Sequence, residues 1–293
     1  MQQSFIAGAD IGGSHITAAL VDLSTNTLVP GTLTRHAIAT HEEAPVIIEN
    51  WARTIREAYA HFPAFTGPVQ IGIAMPGPLD YEQGICYIRN QGKYESLYGL
   101  NIKSLLAAQL GITATDIRMM NDALCFLQGE VVGGAATGFT RVLGFTLGTG
   151  LGSALYSDGH TIDADLWQSP FRDGIAEDYI SSRWFVQRYH TLTGGSVTGA
   201  RELQEKVGKE PIAGAIFEEF AGNLACFLAG VIPQHQPQVI VLGGNIAKGY
   251  ELFLPPLEAT LAQQGINVPI RIATLGENAQ IIGAADCWRY SLA

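Results

Sequence analysis

The feature that most constrains this chain is a strand–glycine turn–strand pattern that occurs twice. Phe5 to Ala9 is a short apolar run, followed by Asp10-Ile11-Gly12-Gly13-Ser14-His15 and a second apolar run from Ile16 to Val21. Glycines between two strand-like runs predict a hairpin turn. The pattern returns with the run Val142 to Thr146, the loop Leu147-Gly148-Thr149-Gly150-Leu151-Gly152 and the run Ser153 to Tyr156. Asp10, Gly12 and Gly13 fall on Thr146, Gly148 and Thr149 at a separation of 136 residues. So long a period predicts a duplicated domain, because solenoid units recur every ~20–50 residues. A length of 293 residues agrees, being too great for one ordinary domain and sufficient for two.

Around the two hairpins, strand and helix signals alternate. A helix is predicted over Glu43 to Phe62, with Ile47, Trp51, Ile55, Ala58, Tyr59 and Phe62 on one face. Val69 to Met75 reads as a buried strand that Pro76-Gly77-Pro78 stops. A short helix over Ile102 to Leu110 precedes a strand over Asp116 to Met120, which delivers Asn121-Asp122 to the start of a helix over Ala123 to Val132. The second half has a helix over Ile212 to Val231, a strand over Val239 to Leu242, the loop Gly243-Gly244-Asn245 and a closing helix over Ala279 to Trp288. Alternation in both halves predicts α/β layers. No Pro/Ser-rich linker separates the halves, so a tight hinge is expected within 121–135. The expected domains are 1–121 and 122–278, with 279–293 returning to the first.

Hydrophobic residues make up 47% of the chain and charged residues 15%, enough to build large cores and too apolar for disorder. The net charge of −10 and the lack of any Lys/Arg-rich run argue against nucleic acid or an anionic membrane as partner. The N-terminus has no basic flank or small-residue cleavage site, so no signal peptide is expected. No apolar run is expected to reach the ~18 residues of a spanning helix. Cys86, Cys125, Cys226 and Cys287 are widely spaced, with no CxxC pair, so neither a disulfide framework nor a zinc site is expected. A reducing cytoplasm fits.

Glycine turns present unobstructed backbone N–H groups, and such nests bind anions. Two turns related by duplication suit a polyphosphate. Asp10 cannot face phosphate unscreened, and a carboxylate beside phosphate oxygens is a natural holder of Mg²⁺, directly or through water. Ser14 adds a hydroxyl. The pattern is not a dinucleotide fingerprint, which needs G-x-G-x-x-G opening a helix, and no G-K-[ST] phosphate loop exists. Gly148-Thr149-Gly150-Leu151-Gly152 superficially resembles a protein-kinase glycine loop, but no H-R-D or D-F-G accompanies it.

Taken together, these motifs resemble the ROK family of repressors, open reading frames and sugar kinases, within the actin/hexokinase superfamily. Asp10-Ile11-Gly12-Gly13-Ser14 is similar to the family's D-x-G-G-T phosphate motif, and Pro76-Gly77-Pro78 to its sugar-lining P-G-P segment. Asn121-Asp122-Ala123 resembles the N-D-A motif, Leu147 to Gly152 the L-G-T-G-x-G phosphate loop, and Val239 to Asn245 the adenosine-side element. The matches run in family order over nearly the whole chain. The resemblance implies a duplicated ribonuclease-H-like, actin-like ATPase fold of the α/β class, with a central nucleotide/sugar cleft. It also implies a cytoplasmic, homodimeric, ATP- and Mg²⁺-dependent sugar kinase of the glucokinase or amino-sugar type.

On that reading Asp122 is the catalytic base and Asp10 the metal-side carboxylate. Gly12, Gly13, Ser14, His15, Gly148, Thr149, Gly150, Gly243, Gly244 and Asn245 face the nucleotide. Asn121, Asn90, Gly77 and Pro78 face the sugar. Plainer readings stand beside these: Asn121-Asp122 as a helix cap, His15 as a solvated turn residue, and Asn90 as a loop cap. Where the family carries E-x-G-H and a cysteine-rich zinc motif, this chain has Asp163 to Gly174, without cysteine or histidine. No structural zinc is therefore expected. Asp165 and Gln168 stand as replacements for the Glu and His, or simply as a surface loop. The rival functions are a non-catalytic sugar-sensing regulator and an ATPase or carboxylate kinase. With only nine residues ahead of Asp10, no DNA-binding module is expected.

Overall fold

Apolar runs that carry β-branched and aromatic residues such as Ile, Val, Thr and Phe favour strands within a buried sheet. The first two do pair, as an antiparallel hairpin of β1 (Phe5–Ile11) and β2 (His15–Asp22), with Asp10 opposite Thr17 and Ile11 opposite Ile16. The computed structural model describes residues 5–62 and 69–289, and the chain divides into two units, Met1–Gly134 with Glu277–Ala293, and Ala135–Gly276.

In the first unit, β3 (Thr27–Leu28) and β4 (Thr34–Ala37) both pair with β2. After α1 (Ala44–Ala60), β5 (Ile71–Ala74) lies parallel to β1. A small ribbon of β6 (Leu79–Asp80) and β7 (Ile85–Cys86) follows, then α2 (Ile102–Leu110), then β8 (Ile117–Met120) parallel to β5. The sheet order is β3-β2-β1-β5-β8, with β4 also on β2. α3 (Asp122–Gly133) completes this stretch. The predicted face of α1 is the buried one, carrying Ile47, Trp51, Ile55 and Ala58 into a core with Ile16, Leu20 and Ile73.

The second unit repeats the topology. β9 (Arg141–Leu147), β10 (Leu151–Ser157) and β11 (His160–Asp163) form an antiparallel meander. The ribbon of β12 (Pro170–Phe171) and β13 (Gly174–Ile175) leads into helices α4 (Ala176–Tyr179), α5 (Ser182–Thr193), α6 (Ala200–Lys206) and α7 (Pro211–His235). β14 (Val239–Gly243), α8 (Leu254–Gln263) and β15 (Ile270–Ile272) follow, both strands parallel to β9, in the order β11-β10-β9-β14-β15. An identical order of three antiparallel and two parallel strands is what the sequence repeat predicts.

α7 corrects one expectation. By length and composition it is apolar enough to cross a membrane, contrary to the reading that no stretch reaches spanning length, yet 61% of its most apolar window is buried inside the protein. Phe217, Phe220, Leu224 and Leu228 pack there with Phe145, Phe185 and Phe253, and Phe185 and Phe220 have ring centroids 4.8 Å apart. Each such side chain contributes about 1.5–3 kcal/mol by leaving water.

The last helix, α9 (Asn278–Asp286), belongs to the first unit and packs on β1, β5 and α3. Glycines make that approach possible. A Cβ on Gly72 would lie 1.8 Å from the Ala284 carbonyl oxygen, and one on Gly283 1.8 Å from that of Cys125.

Candidate active site

Directly paired residues on neighbouring strands share a face. Asp10 pairs with Thr17 and Ala74, Thr17 with Arg35, and Ala74 with Met120, so these five form one row across the first sheet. Alternation puts Gly8 on the same face as Asp10. A Cβ on Gly8 would meet the Ile281 carbonyl oxygen at 2.3 Å, so this is the face that α9 covers. Asp10 lies two residues further along β1, at the N-terminal end of α9. Glu277 directly precedes that helix, without a side-chain capping bond, and forms an ion pair with Arg35. The helix α3 begins close by, and its first residue is Asp122.

This arrangement crowds carboxylates. The Asp10 carboxyl is pushed up from its ordinary 3.8 to about 7, chiefly by burial, then by the Asp122 and Glu277 charges, with Arg35 opposing them. A carboxyl whose folded pKa is raised binds its proton more tightly in the folded state. Its contribution to stability is therefore present below about pH 4 and lost as pH rises through 7. Asp10→Asn should accordingly melt higher than the parent at pH 8, by on the order of 1–3 kcal/mol, with the gap closing toward pH 4. Thermal melts of both proteins across that range check this. An equal gap at every pH would remove the crowding argument.

Asn121 shows how its neighbour is held. Its Oδ1 accepts the Ala123 N–H at 2.9 Å, a genuine N-cap, while its Nδ2 donates to the Tyr81 hydroxyl at 3.2 Å. Tyr81 in turn donates to the Met75 carbonyl at 3.0 Å, and its hydroxyl would lie 3.0 Å from a Cβ on Gly77. The Asp122 Oδ1 accepts the same Ala123 N–H at 3.0 Å. The cap thus fixes the start of α3, and Tyr81 ties it to the Gly77–Pro78 segment, whose peptide is cis.

The first glycine turn closes with the Gly12 N–H donating to the His15 carbonyl at 2.9 Å, leaving Gly13, Ser14 and His15 exposed. The Ser14 hydroxyl is 2.9 Å from the His15 Nδ1. Tyr94, fully buried, donates its hydroxyl to the Gly12 carbonyl at 2.5 Å. Burial and the nearby Asp10 push that phenol's pKa further up, so it stays a donor. Asn90 is exposed on the same loop, with φ 58° in the left-handed region that Asn tolerates.

In the second unit, the Gly148 N–H donates to the Gly150 carbonyl at 3.0 Å and the Gly148 carbonyl accepts the Ser182 N–H at 2.8 Å, so the N-terminus of α5 abuts the turn. The Glu177 carboxylate accepts the Leu151 N–H at 3.0 Å and is ion-paired with Arg183. Thr149 is exposed at the tip, and a Cβ on Gly148 would meet nothing within 4 Å. Gly243 ends β14, and Gly244 follows at φ +86°, where a Cβ would lie 2.4 Å from the Leu147 carbonyl oxygen. The exposed Asn245 is next, so this loop rests on the second glycine turn. Asp165 and Gln168 are both exposed, and the Gln168 amide donates to the Asp165 carboxylate.

Sequence reasoning missed Tyr94, Arg35, Glu277 and Glu177. None lies in a recognisable motif. Each reaches its turn or carboxylate through pairing or helix packing between distant segments.

Two sheets of identical order, each with a glycine turn after its first strand, define the duplicated ribonuclease-H-like fold of the actin-like ATPases. The ROK family model matches residues 6–164 and 172–290, and this chain belongs to that family. An N-acetylgalactosamine kinase of Shewanella sp. is 26% identical over 242 residues, covering 73% of this chain and 76% of its own. A glucokinase of Thermotoga maritima is 23% identical, covering 96% of both chains. The solved ROK glucokinase of Streptomyces griseus, in complex with glucose and AMPPNP, superposes with a TM-score of 0.76 at 23% identity, over 97% of this chain and 99% of its own.

The residues present suit a divalent metal held with a nucleotide. Asp10 offers a hard oxygen donor in a pocket of excess negative charge, the condition a cation relieves. Among the described residues no group of three or more His, Cys, Asp or Glu could hold a metal alone. A divalent ion held with a nucleotide needs only one or two carboxylates, its other positions going to water and phosphate oxygens.

Proposed function

We propose that this chain is an ATP-dependent sugar kinase in which Asp122 is the general base. The observation that carries the reading is the placement of the Asp122 carboxylate at the capped start of α3, beside Asp10 at the end of β1. Asp122 accepts the proton of a sugar hydroxyl as that oxygen attacks the γ-phosphorus of ATP. The bond from γ-phosphorus to the β–γ bridging oxygen breaks, leaving ADP and a sugar phosphate. Such transfer needs positioning and charge neutralisation more than covalent help. Mg²⁺, bound near Asp10, supplies neutralisation of the phosphate oxygens. The turns at Gly12–His15 and Gly148–Gly150, with Gly243, Gly244 and Asn245, are assigned to the nucleotide.

Asn121, Asn90, Gly77, Pro78, Asp165 and Gln168 are assigned to sugar hydroxyls. Asn121 suits the task because its Nδ2 carries two hydrogens and the Tyr81 bond uses one. Hexoses and N-acetylhexosamines are the substrate classes, supported by the activities named for the relatives. All four cysteines are free thiols, in keeping with a reducing cytoplasm, and the family resemblance supports a homodimer.

A coupled ADP-release assay across hexoses and N-acetylhexosamines tests the reading. One or more sugars should raise ADP release at least tenfold over the sugar-free rate. A panel in which no sugar does so, with sugar binding intact, favours the sensing regulator instead.

A further inference from the structure

The first glycine turn has a charge problem that its own residues do not solve. Residues 10–15 contain no Lys or Arg, and Asp10, Asp122 and Glu277 crowd negative charge beside it. Arg35, which opposes that charge, is ion-paired with Glu277. A phosphate chain brought to this turn therefore gains from a protein cation beside the metal, and a neighbouring segment of this unit can offer it.

Residues 89–94 supply one. Tyr94 anchors this segment at three points, one of them on the turn. Its hydroxyl donates to the Gly12 carbonyl at 2.5 Å, its backbone N–H donates to the Thr40 carbonyl at 2.9 Å, and its ring packs edge-on against Trp51 with centroids 5.6 Å apart. The backbone folds back sharply to do so, with left-handed φ at Gly92 (65°) and Tyr94 (59°). Lys93, between them, lays its stem along the bare face of Gly13, its Cδ 3.8 Å from where a Cβ on that glycine would sit. The ammonium is only two bonds beyond Cδ, which leaves the turn's exposed tip of Gly13 and Ser14 within its reach. Lysine commonly rests its methylenes on a surface while the charged head reaches outward. The nearby Glu95 is engaged with its own loop, accepting the Gln91 N–H at 3.1 Å. Among the described residues no ion pair includes Lys93.

We propose that Lys93 is the phosphate-binding cation of the first unit, its ammonium delivered to the Gly12–Gly13 turn by the anchored Tyr94 to bind oxygens of the nucleotide's phosphate chain. The assignment rests on the kinase reading above and adds to it the residue that offsets the turn's acidity.

The test compares the wild-type chain with Lys93→Met and Lys93→Arg, using AMPPNP with Mg²⁺, adenosine, and the best sugar of the panel. Lys93→Met should weaken AMPPNP binding and raise the KM for ATP by about 10- to 100-fold, the range of a charge-assisted hydrogen bond. Adenosine affinity and the KM for sugar should stay within about twofold, and Lys93→Arg should recover most of the loss. The defect in Lys93→Met should also shrink at high salt, where the wild-type charge attraction is screened. Unchanged AMPPNP affinity in Lys93→Met, with a wild type that phosphorylates sugar, overturns the proposal and leaves the kinase reading standing. Equal losses for AMPPNP and adenosine overturn it too, since they mark a structural role. A wild-type chain that binds no AMPPNP overturns both.

Discussion

Asp122→Asn is expected to lower kcat for sugar phosphorylation by 10²- to 10⁴-fold, the ordinary worth of a positioned general base. The substitution keeps size and hydrogen-bonding shape but removes the proton acceptor. It leaves the cap intact, because the bond that starts α3 comes from Asn121 to the Ala123 N–H. Melting temperature and AMPPNP affinity should therefore hold near the parent values while turnover falls. Sugar-dependent ADP release that survives within about tenfold would place the base elsewhere. A variant that fails in both binding and folding would point to a purely structural Asp122. The pH–rate profile sharpens the result. Asp10, pushed up to about 7, should lose its negative charge as pH falls through neutrality, so the apparent affinity for metal–nucleotide should weaken below pH 7 in the parent. Asp10→Asn should flatten that limb.

Replacing Gly283 with alanine should be at least as damaging, by an unrelated route. Its Cβ would fall 1.8 Å from the Cys125 carbonyl oxygen, and that of Gly72→Ala 1.8 Å from the Ala284 carbonyl oxygen. In both cases the obstacle is backbone, so whole elements must separate rather than a side chain turn aside. Overpacking of that kind costs about 3 kcal/mol or more, a large share of the 5–15 kcal/mol that holds a domain together. Soluble yield and thermal melts should show loss of the first unit's cooperative transition. Gly222→Ala on α7 is the control. Its Cβ would meet nothing within 4 Å, and alanine is the better helix former by about 1 kcal/mol. That variant should be as stable as the parent or more so. If Gly283→Ala melts with the control, α9 does not lie as close to α3 as described. The effect reaches function, because Glu277 directly precedes α9 and Asp122 opens α3, and the packing of the two helices sets how closely those carboxylates stand to Asp10.

Much of this was legible from residues alone. The strand–turn–strand repeat at a spacing of 136 positions foretold two sheets of one order, because a duplicated sequence carries duplicated pairing preferences. Capping chemistry placed the start of α3 at Asn121-Asp122, since an Asn side chain meets a helix's first N–H groups without help from distant segments. The glycine turns and the buried face of α1 were readable for the same reason, as local periodicity and local backbone freedom. The apolar weight of α7 was underestimated, and its aromatic residues found their partners in β9, α5 and the segment ahead of α8.

What the sequence by itself determined, then, is the order of elements, the two turns and the carboxylate at the head of α3. Each of these follows from forces acting within a few residues. Only the tertiary structure decided that Arg35, Glu277 and Tyr94 gather around Asp10 and Gly12, from positions up to 267 residues away along the chain. Sheet pairing and helix packing join those segments, and the burial, with the crowding of charge, that raises the Asp10 carboxyl toward neutrality exists only once they have met.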